Sequence, residues 1–216
     1  MTKLIIKDRI FERLRHIYLT RLGSLIRTFK SPRSPQNPDG KILIHIGCGE
    51  FNDPRFINID ARPMPHVHYI SHELELNQFA HETVDLIYAC HVLEHVPFKR
   101  LLPILMNWFD RLKPGGILRL SLPDFDRIIE IYTEQGKDIE VIQMPLMGGQ
   151  EYKYNCHYSV FNSEYVYKLM QQCGFREIRE WDPFSASYHS FNDWSKIPFI
   201  VNGKQYKISL NIEAIR

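Results

Sequence analysis

Short apolar runs and helical repeats alternate along most of this chain. Ile42, Leu43, Ile44 and Ile46 form a run too short for a helix and rich in β-branched side chains. That pattern predicts a strand buried on both faces. Ile57–Asp60 repeats it after a connection of only seven residues, Glu50–Phe56, so a loop or single turn is expected where a helix would otherwise stand. Tyr69–Leu76 reads as a third strand, 84–90 as a fourth and 117–122 as a fifth, with helices over 98–112 and 124–135. A helix over Ser163–Cys173 closes on Gly174, and Phe175–Trp181 and Lys207–Ile215 read as the last two strands. Strands alternating with helices predict an α/β fold around a mostly parallel sheet. Two segments break the rhythm. Gln143–His157 has paired glycines and closely spaced rings, which suits a lid or acceptor loop. Ser187–Ser195 is polar and aromatic and reads as a rim loop.

The first 30 residues differ. Leu4, Ile5, Ile10, Phe11, Leu14, Ile17, Tyr18, Leu22, Leu25 and Ile26 recur near helical period. Residues 1–33 hold nine Lys and Arg against Asp8 and Glu12, a segment charge of +7 that leaves −5 for the rest of a +2 chain. A basic amphipathic helix over 1–30 and a proline-rich linker over 31–40 therefore precede a domain over 41–216. The default role for such a helix is packing on the domain or across a homodimer. Contact with a membrane surface or an anionic substrate is the other reading.

The remaining composition narrows the class. At 216 residues, 44% apolar and 24% charged, the chain suits one α/β domain with additions. Cys48, Cys90, Cys156 and Cys173 show no paired spacing, so a reduced cytoplasmic setting is the expectation. No apolar run is long enough to cross a bilayer, and the start lacks a secretion signal pattern.

The chemistry begins at Gly47 and Gly49, directly after the first strand. Glycine there permits positive φ and close approach of a ligand, and Asp60 ends the second strand. A carboxylate in that place can accept ribose hydroxyls while the glycine turn closes over the rest of a nucleoside. A dinucleotide site lacks its third glycine here, a P-loop lacks its Lys-Ser or Lys-Thr, and Glu50 would repel a phosphate.

This pattern, GCG between an apolar strand and a strand ending in Asp, resembles motif I of class I S-adenosylmethionine-dependent methyltransferases. Glu73 and Leu74 in YISHELEL, the LEH of VDLIYACHVLEHV, and Pro114-Gly115-Gly116 in LKPGGILRLSLP follow in the family's order, over roughly residues 40 to 180. The resemblance implies a Rossmann-like seven-stranded sheet with an antiparallel C-terminal edge. It also implies S-adenosylmethionine as cofactor, held by Gly47, Cys48, Gly49, Asp60, Glu73, Leu74, Cys90 and His91, with Cys48 a small turn residue and not a nucleophile. The shortened connection after the glycine turn is similar to methyltransferases associated with bacterial surface polysaccharides.

His91, Glu94 and His95 would share one face if a helix began near His91. Their spacing also matches an inverted zinc-peptidase motif, but here it follows a sheet strand. It is closer to the ExxEH of metal-using methyltransferases that modify small-RNA ends, with His91 in place of the first Glu. Glu94, His95 and His157 are thus candidate divalent-metal ligands, and packing beside the cofactor is the alternative for Glu94 and His95. His157 is also the candidate general base, and Asp124 a candidate catalytic carboxylate that could equally cap a helix. Tyr132, Tyr152 and Tyr154 could stack on a sugar or serve only packing.

An O-methyltransferase of a small molecule or of a sugar or glycan precursor is the leading expectation. A cofactor-binding or partner subunit without turnover, and a metal-dependent methyltransferase of an RNA end, are the alternatives. Nucleic acid is disfavoured by the acidic balance of the domain.

Overall fold

A computed structural model describes residues 2–29 and 32–216, with side chains from residue 14 onward except His16, Lys30 and Ser31. Its element order is α1 (Thr2–Phe29), β1 (Leu43–Ile46), β2 (Phe56–Asp60), β3 (Tyr69–Ile70), β4 (Val84–Cys90), α2 (Leu101–Arg111), β5 (Leu112–Pro123), α3 (Phe125–Glu134), α4 (Glu140–Met147), α5 (Ser163–Cys173), β6 (Arg176–Glu180), β7 (Phe199–Val201), β8 (Lys204–Tyr206) and β9 (Ser209–Ile215). Seven strands make one sheet in the order β3-β2-β1-β4-β5-β9-β6, and β7 pairs with β8 in a separate hairpin. β1 to β5 run parallel, whereas β9 is antiparallel to both β5 and β6. The last strand is thus inserted between the fifth and sixth.

One face of the sheet carries Ile44, Ile46, Ile57, Ile59, Ile87, Ala89, Leu118 and Leu120, packed under α2 and α5. Trp108 of α2 is fully buried there, and its indole N–H donates to the Leu74 carbonyl at 2.7 Å. On the other face Leu43, Phe56, Leu86 and Tyr88 pack under Trp181, Phe191, Ala186 and Tyr188. As its brevity predicted, the connection after β1 contains no helix. The Ser187–Ser195 segment, expected on the rim, covers this second face instead. Its buried Asp193 accepts the Tyr88 hydroxyl and the Ser195 hydroxyl, both at 2.6 Å. Satisfied hydrogen bonds let irregular polar backbone lie on a sheet.

Other expectations shift for local reasons. β3 is two residues long because Ser71 turns the chain, its hydroxyl accepting from the Glu73 amide at 3.2 Å. The helix expected near His91 does not start there. His91 has φ +52°, Leu93–His95 is a single 3₁₀ turn, and Pro97 separates it from a second turn, Phe98–Arg100, that leads into α2. Proline lacks the amide proton that a continuous helix needs at that point. The first part of the proposed lid, up to Met147, is α4, and only Gly148–His157 is loop.

α1 rests on the loops that follow β1 and β2. Gly23 lies against the Pro63 carbonyl, where an added Cβ would stand 1.6 Å from the oxygen. Arg15 pairs with Glu50 at 2.6 Å. No helix among the described residues is long and apolar enough to cross a membrane.

The second face sets a pH limit. His45 in β1 is buried among Phe56, Tyr88 and Phe191, its Nδ1 has no hydrogen-bond partner, and burial lowers its pKa to about 4. Burial also lowers that of His189, stacked edge-on against Trp181. As pH falls from about 6.5 to about 4, the unfolded chain takes up these protons first, so folded stability is lost across that window. His45 alone should account for about 3 kcal/mol of that loss. Urea midpoints at pH 7.5 and pH 5 should therefore differ strongly in the native protein and less in His45→Phe. An equal slope in the variant would remove His45 from the account.

Candidate active site

The carboxyl ends of β1, β2 and β4 enclose a cavity of about 210 Å³. Ile46, Ile59, Leu74, Val92, Val96 and Ile104 give it apolar walls, and Asp60, Ser71, His72, His91 and His95 supply polar groups. Gly47 stands at its floor with φ +62°, where a Cβ would come within 2.4 Å of Val92 Cγ2. No other residue fits that turn without displacing Val92.

Asp60 ends β2 at the cavity, 7% exposed. Its Oδ2 accepts the Gly49 amide at 2.8 Å, and its Oδ1 accepts the Arg62 amide at 2.8 Å and Arg62 Nε at 3.1 Å. A carboxylate offers about four acceptor sites. Three of them are taken among the described residues, so one stays open. The other sequence candidates divide. Leu74 and His91 line the cavity with Gly47 and Asp60. Glu73 does not; its carboxylate is exposed and pairs with Arg100 at 2.6 Å. Cys48 is buried behind the turn with Met64 and Val67, and burial pushes its thiol pKa up, as suits an inert residue. Cys90 belongs to the opposite face of the sheet beside Tyr88, because side chains alternate along β4. Asp124 is also absent from the cavity. It caps α3 by accepting the Asp126 amide at 3.1 Å, and burial raises its pKa.

Beside the cavity, Glu94, His95 and His157 come together, each offering a ligand atom within 4.8 Å of the others. Glu94 is 1% exposed, and neither carboxylate oxygen has a hydrogen-bond donor among the described residues. Burial works against its charge, but contact with His91 and the nearby rings of His95 and His157 outweigh it and hold its pKa below the ordinary range. His91 Nδ1 lies 3.3 Å from Glu94 Oε1, an ion-pair distance with poor hydrogen-bond alignment. The Ser209 hydroxyl donates to the Trp194 carbonyl at 2.6 Å, so it accepts from His91 Nε2 at 2.9 Å. His95 donates from Nδ1 to the Cys156 carbonyl at 3.1 Å, which leaves Nε2 as its open nitrogen. The His157 ring meets that of His95 at 5.0 Å, and burial lowers its pKa, keeping it neutral. Of the three, His95 lines the cavity and the other two stand behind it. Backbone bonds fix the group, since the Tyr158 and Ser159 amides donate to the Glu94 carbonyl at 2.7 and 3.1 Å.

The loop after α4 closes over this cleft. Tyr152 lies 5.3 Å from the Arg62 guanidinium, and Tyr154 stacks on His72 with its hydroxyl 2.7 Å from Nδ1. Both tyrosines line the cavity, as do Arg62, His72 and Arg100, which the sequence did not single out. Arg62 had a weak signal, two residues after Asp60 in an Asx-type turn.

A family model described as a methyltransferase domain matches residues 16–180, and the chain belongs to that family. Its fold is that of S-adenosylmethionine-dependent methyltransferases. An S-adenosylmethionine-dependent methyltransferase from Archaeoglobus fulgidus is similar at 14% identity and TM-score 0.52, with 94% of each chain covered. One from Methanosarcina mazei is similar at 14% identity and TM-score 0.51, covering 89% of this chain and 96% of that one. Human N-acetylserotonin methyltransferase, solved with S-adenosylmethionine, matches at 12% identity and TM-score 0.50, covering 82% of this chain and 47% of its own. No curated protein matches the sequence.

The lid contacts are individually small, about 0.5–1 kcal/mol each. Replacing Tyr152 and Tyr154 by Ala should speed hydrogen exchange of the amides of 150–156 while leaving the melting temperature nearly unchanged. Unaltered exchange there would mean that Gly148–His157 is held by its backbone alone.

Proposed function

We propose that this protein transfers a methyl group from S-adenosylmethionine to a hydroxyl of a small molecule or of a sugar or glycan precursor. The cleft suits the cofactor: an apolar wall for adenine, Asp60 for a ribose hydroxyl, and Gly47 beneath the amino-acid part. The cofactor supplies an electrophilic methyl on a sulfonium. The chain's own contribution is to hold both reactants in line, exclude water beneath the lid, and take the acceptor's proton. Tyr152 and Tyr154 offer ring faces against which a sugar can pack.

The observation that carries the hydroxyl acceptor is the cluster of Glu94, His95 and His157 beside the cleft. A hydroxyl, unlike an amine, must lose a proton to react, and we assign that proton to His157 acting through the neighbouring ring of His95, which lines the cavity. The same residues suit a divalent cation. Two imidazoles and a buried carboxylate whose oxygens lack a hydrogen-bond donor among the described residues form a donor set for a transition metal. Held by Glu94, His95 and His157, such an ion would act as a Lewis acid toward the acceptor oxygen.

Three measurements separate the parts of this reading. In calorimetry, Asp60→Ala should weaken binding of S-adenosylmethionine by roughly 1.5–3 kcal/mol; unchanged affinity removes Asp60 from the site. His157→Ala should lower turnover by about 10²–10⁴-fold with cofactor affinity preserved, and normal turnover makes the residue structural. Elemental analysis of the purified protein should find a divalent metal that Glu94→Gln loses. Full activity in excess chelator, with no metal present, leaves His157 as a base acting alone.

A further inference from the structure

From Leu14 onward, the face of α1 turned away from the domain is apolar and open, with an exposed arginine in it. Leu14, Tyr18, Leu25 and Phe29 recur about once per turn and are 60%, 64%, 61% and 83% exposed. Arg21, also exposed, stands in the same row. Scattered exposed apolar residues are ordinary, but a continuous row is not. Nor is the helix awaiting a place on its own domain, because Gly23 and Arg15 already hold it against Pro63 and Glu50.

Charge selects among the occupants. A second copy docked helix to helix would set one +7 segment against another, which like-charge repulsion opposes. An anionic partner is complementary, yet phosphate groups alone would leave the four apolar side chains in water. A lipid surface with anionic headgroups satisfies both, the rings and leucines entering the acyl boundary while Arg and Lys meet the headgroups. We propose that α1 binds the protein to an anionic membrane surface. The helix rests on Glu50 and Pro63, in the loops that follow β1 and β2, and half-exposed Phe51 stands in the first of these. Ala61 and Arg62, next to Pro63, line the cleft, so the bound helix stands close to it.

The test is co-sedimentation of the whole chain with vesicles of phosphatidylcholine alone and of phosphatidylcholine mixed with phosphatidylglycerol. Binding should require phosphatidylglycerol and weaken as salt is raised. Leu14→Ser with Leu25→Ser should reduce partitioning by about tenfold or more. Arg21→Glu should reduce it independently, and because Arg21 is exposed the fold should survive, as a thermal melt will report. Equal binding to neutral vesicles, or none to either, overturns the proposal. So does a concentration-dependent dimer in sedimentation that the double Ser variant dissolves, which would give the row to a second copy. None of these readouts depends on methyl transfer, so the outcome stands apart from that of the proposed reaction.

Discussion

A parallel sheet must be covered on both faces, and this chain has shortened the connection that would normally help cover one of them. Residues 182–195 take over that task, and the polar positions in the strands beneath follow from it. A segment without regular structure carries backbone groups that need partners, so the strands beneath it are not purely apolar. Ser121 donates to Asn211 at 2.6 Å, the Asn211 amide donates to the Ser195 carbonyl at 3.1 Å, and Tyr88 reaches Asp193. Arg119 pairs with Glu213 at 2.9 Å and gives a further hydrogen bond to the Ser187 carbonyl at 2.7 Å. Removing one member of such a network leaves the others buried and unpaired.

The same segment reaches the active-site cleft. Trp194 gives its carbonyl to Ser209, and Ser209 fixes the proton of His91. The orientation of His91 toward Glu94 thus depends on a covering layer on the opposite side of the sheet. His91 also holds a left-handed backbone conformation at the end of β4, where strain is tolerated because the surroundings fix it.

The sequence was most informative where periodicity and punctuation agreed. α5 runs from Ser163 to Cys173 as read, stopped by Gly174 at φ +95°, and β1, β2 and β4 fall within a residue of their expected bounds. Glu94, His95 and His157 were legible as a group through the resemblance alone. The helical face that spacing predicts for His91, Glu94 and His95 is a single 3₁₀ turn instead, and two backbone hydrogen bonds from Tyr158 and Ser159 bring His157 beside it. What stayed hidden depends on contacts far apart in the chain. Nothing near Ser187–Ser195 says which face it will cover, and nothing near Tyr154 names His72, 82 residues away. Glu73 matched a family position by order, yet its carboxylate is exposed and pairs with Arg100, a cation from another element.

The two outermost strands bear on how this molecule behaves in a crowded solution. An open sheet ends in unpaired backbone groups that can recruit a strand from another chain. Here β3 offers only Tyr69 and Ile70, too short a template to extend. β6 is longer, but its sequence Arg-Glu-Ile-Arg-Glu sets four charges along the edge, with Arg179 tied back to Glu213. Brevity guards one border and charge the other, so the sheet can remain open without inviting fibrous growth.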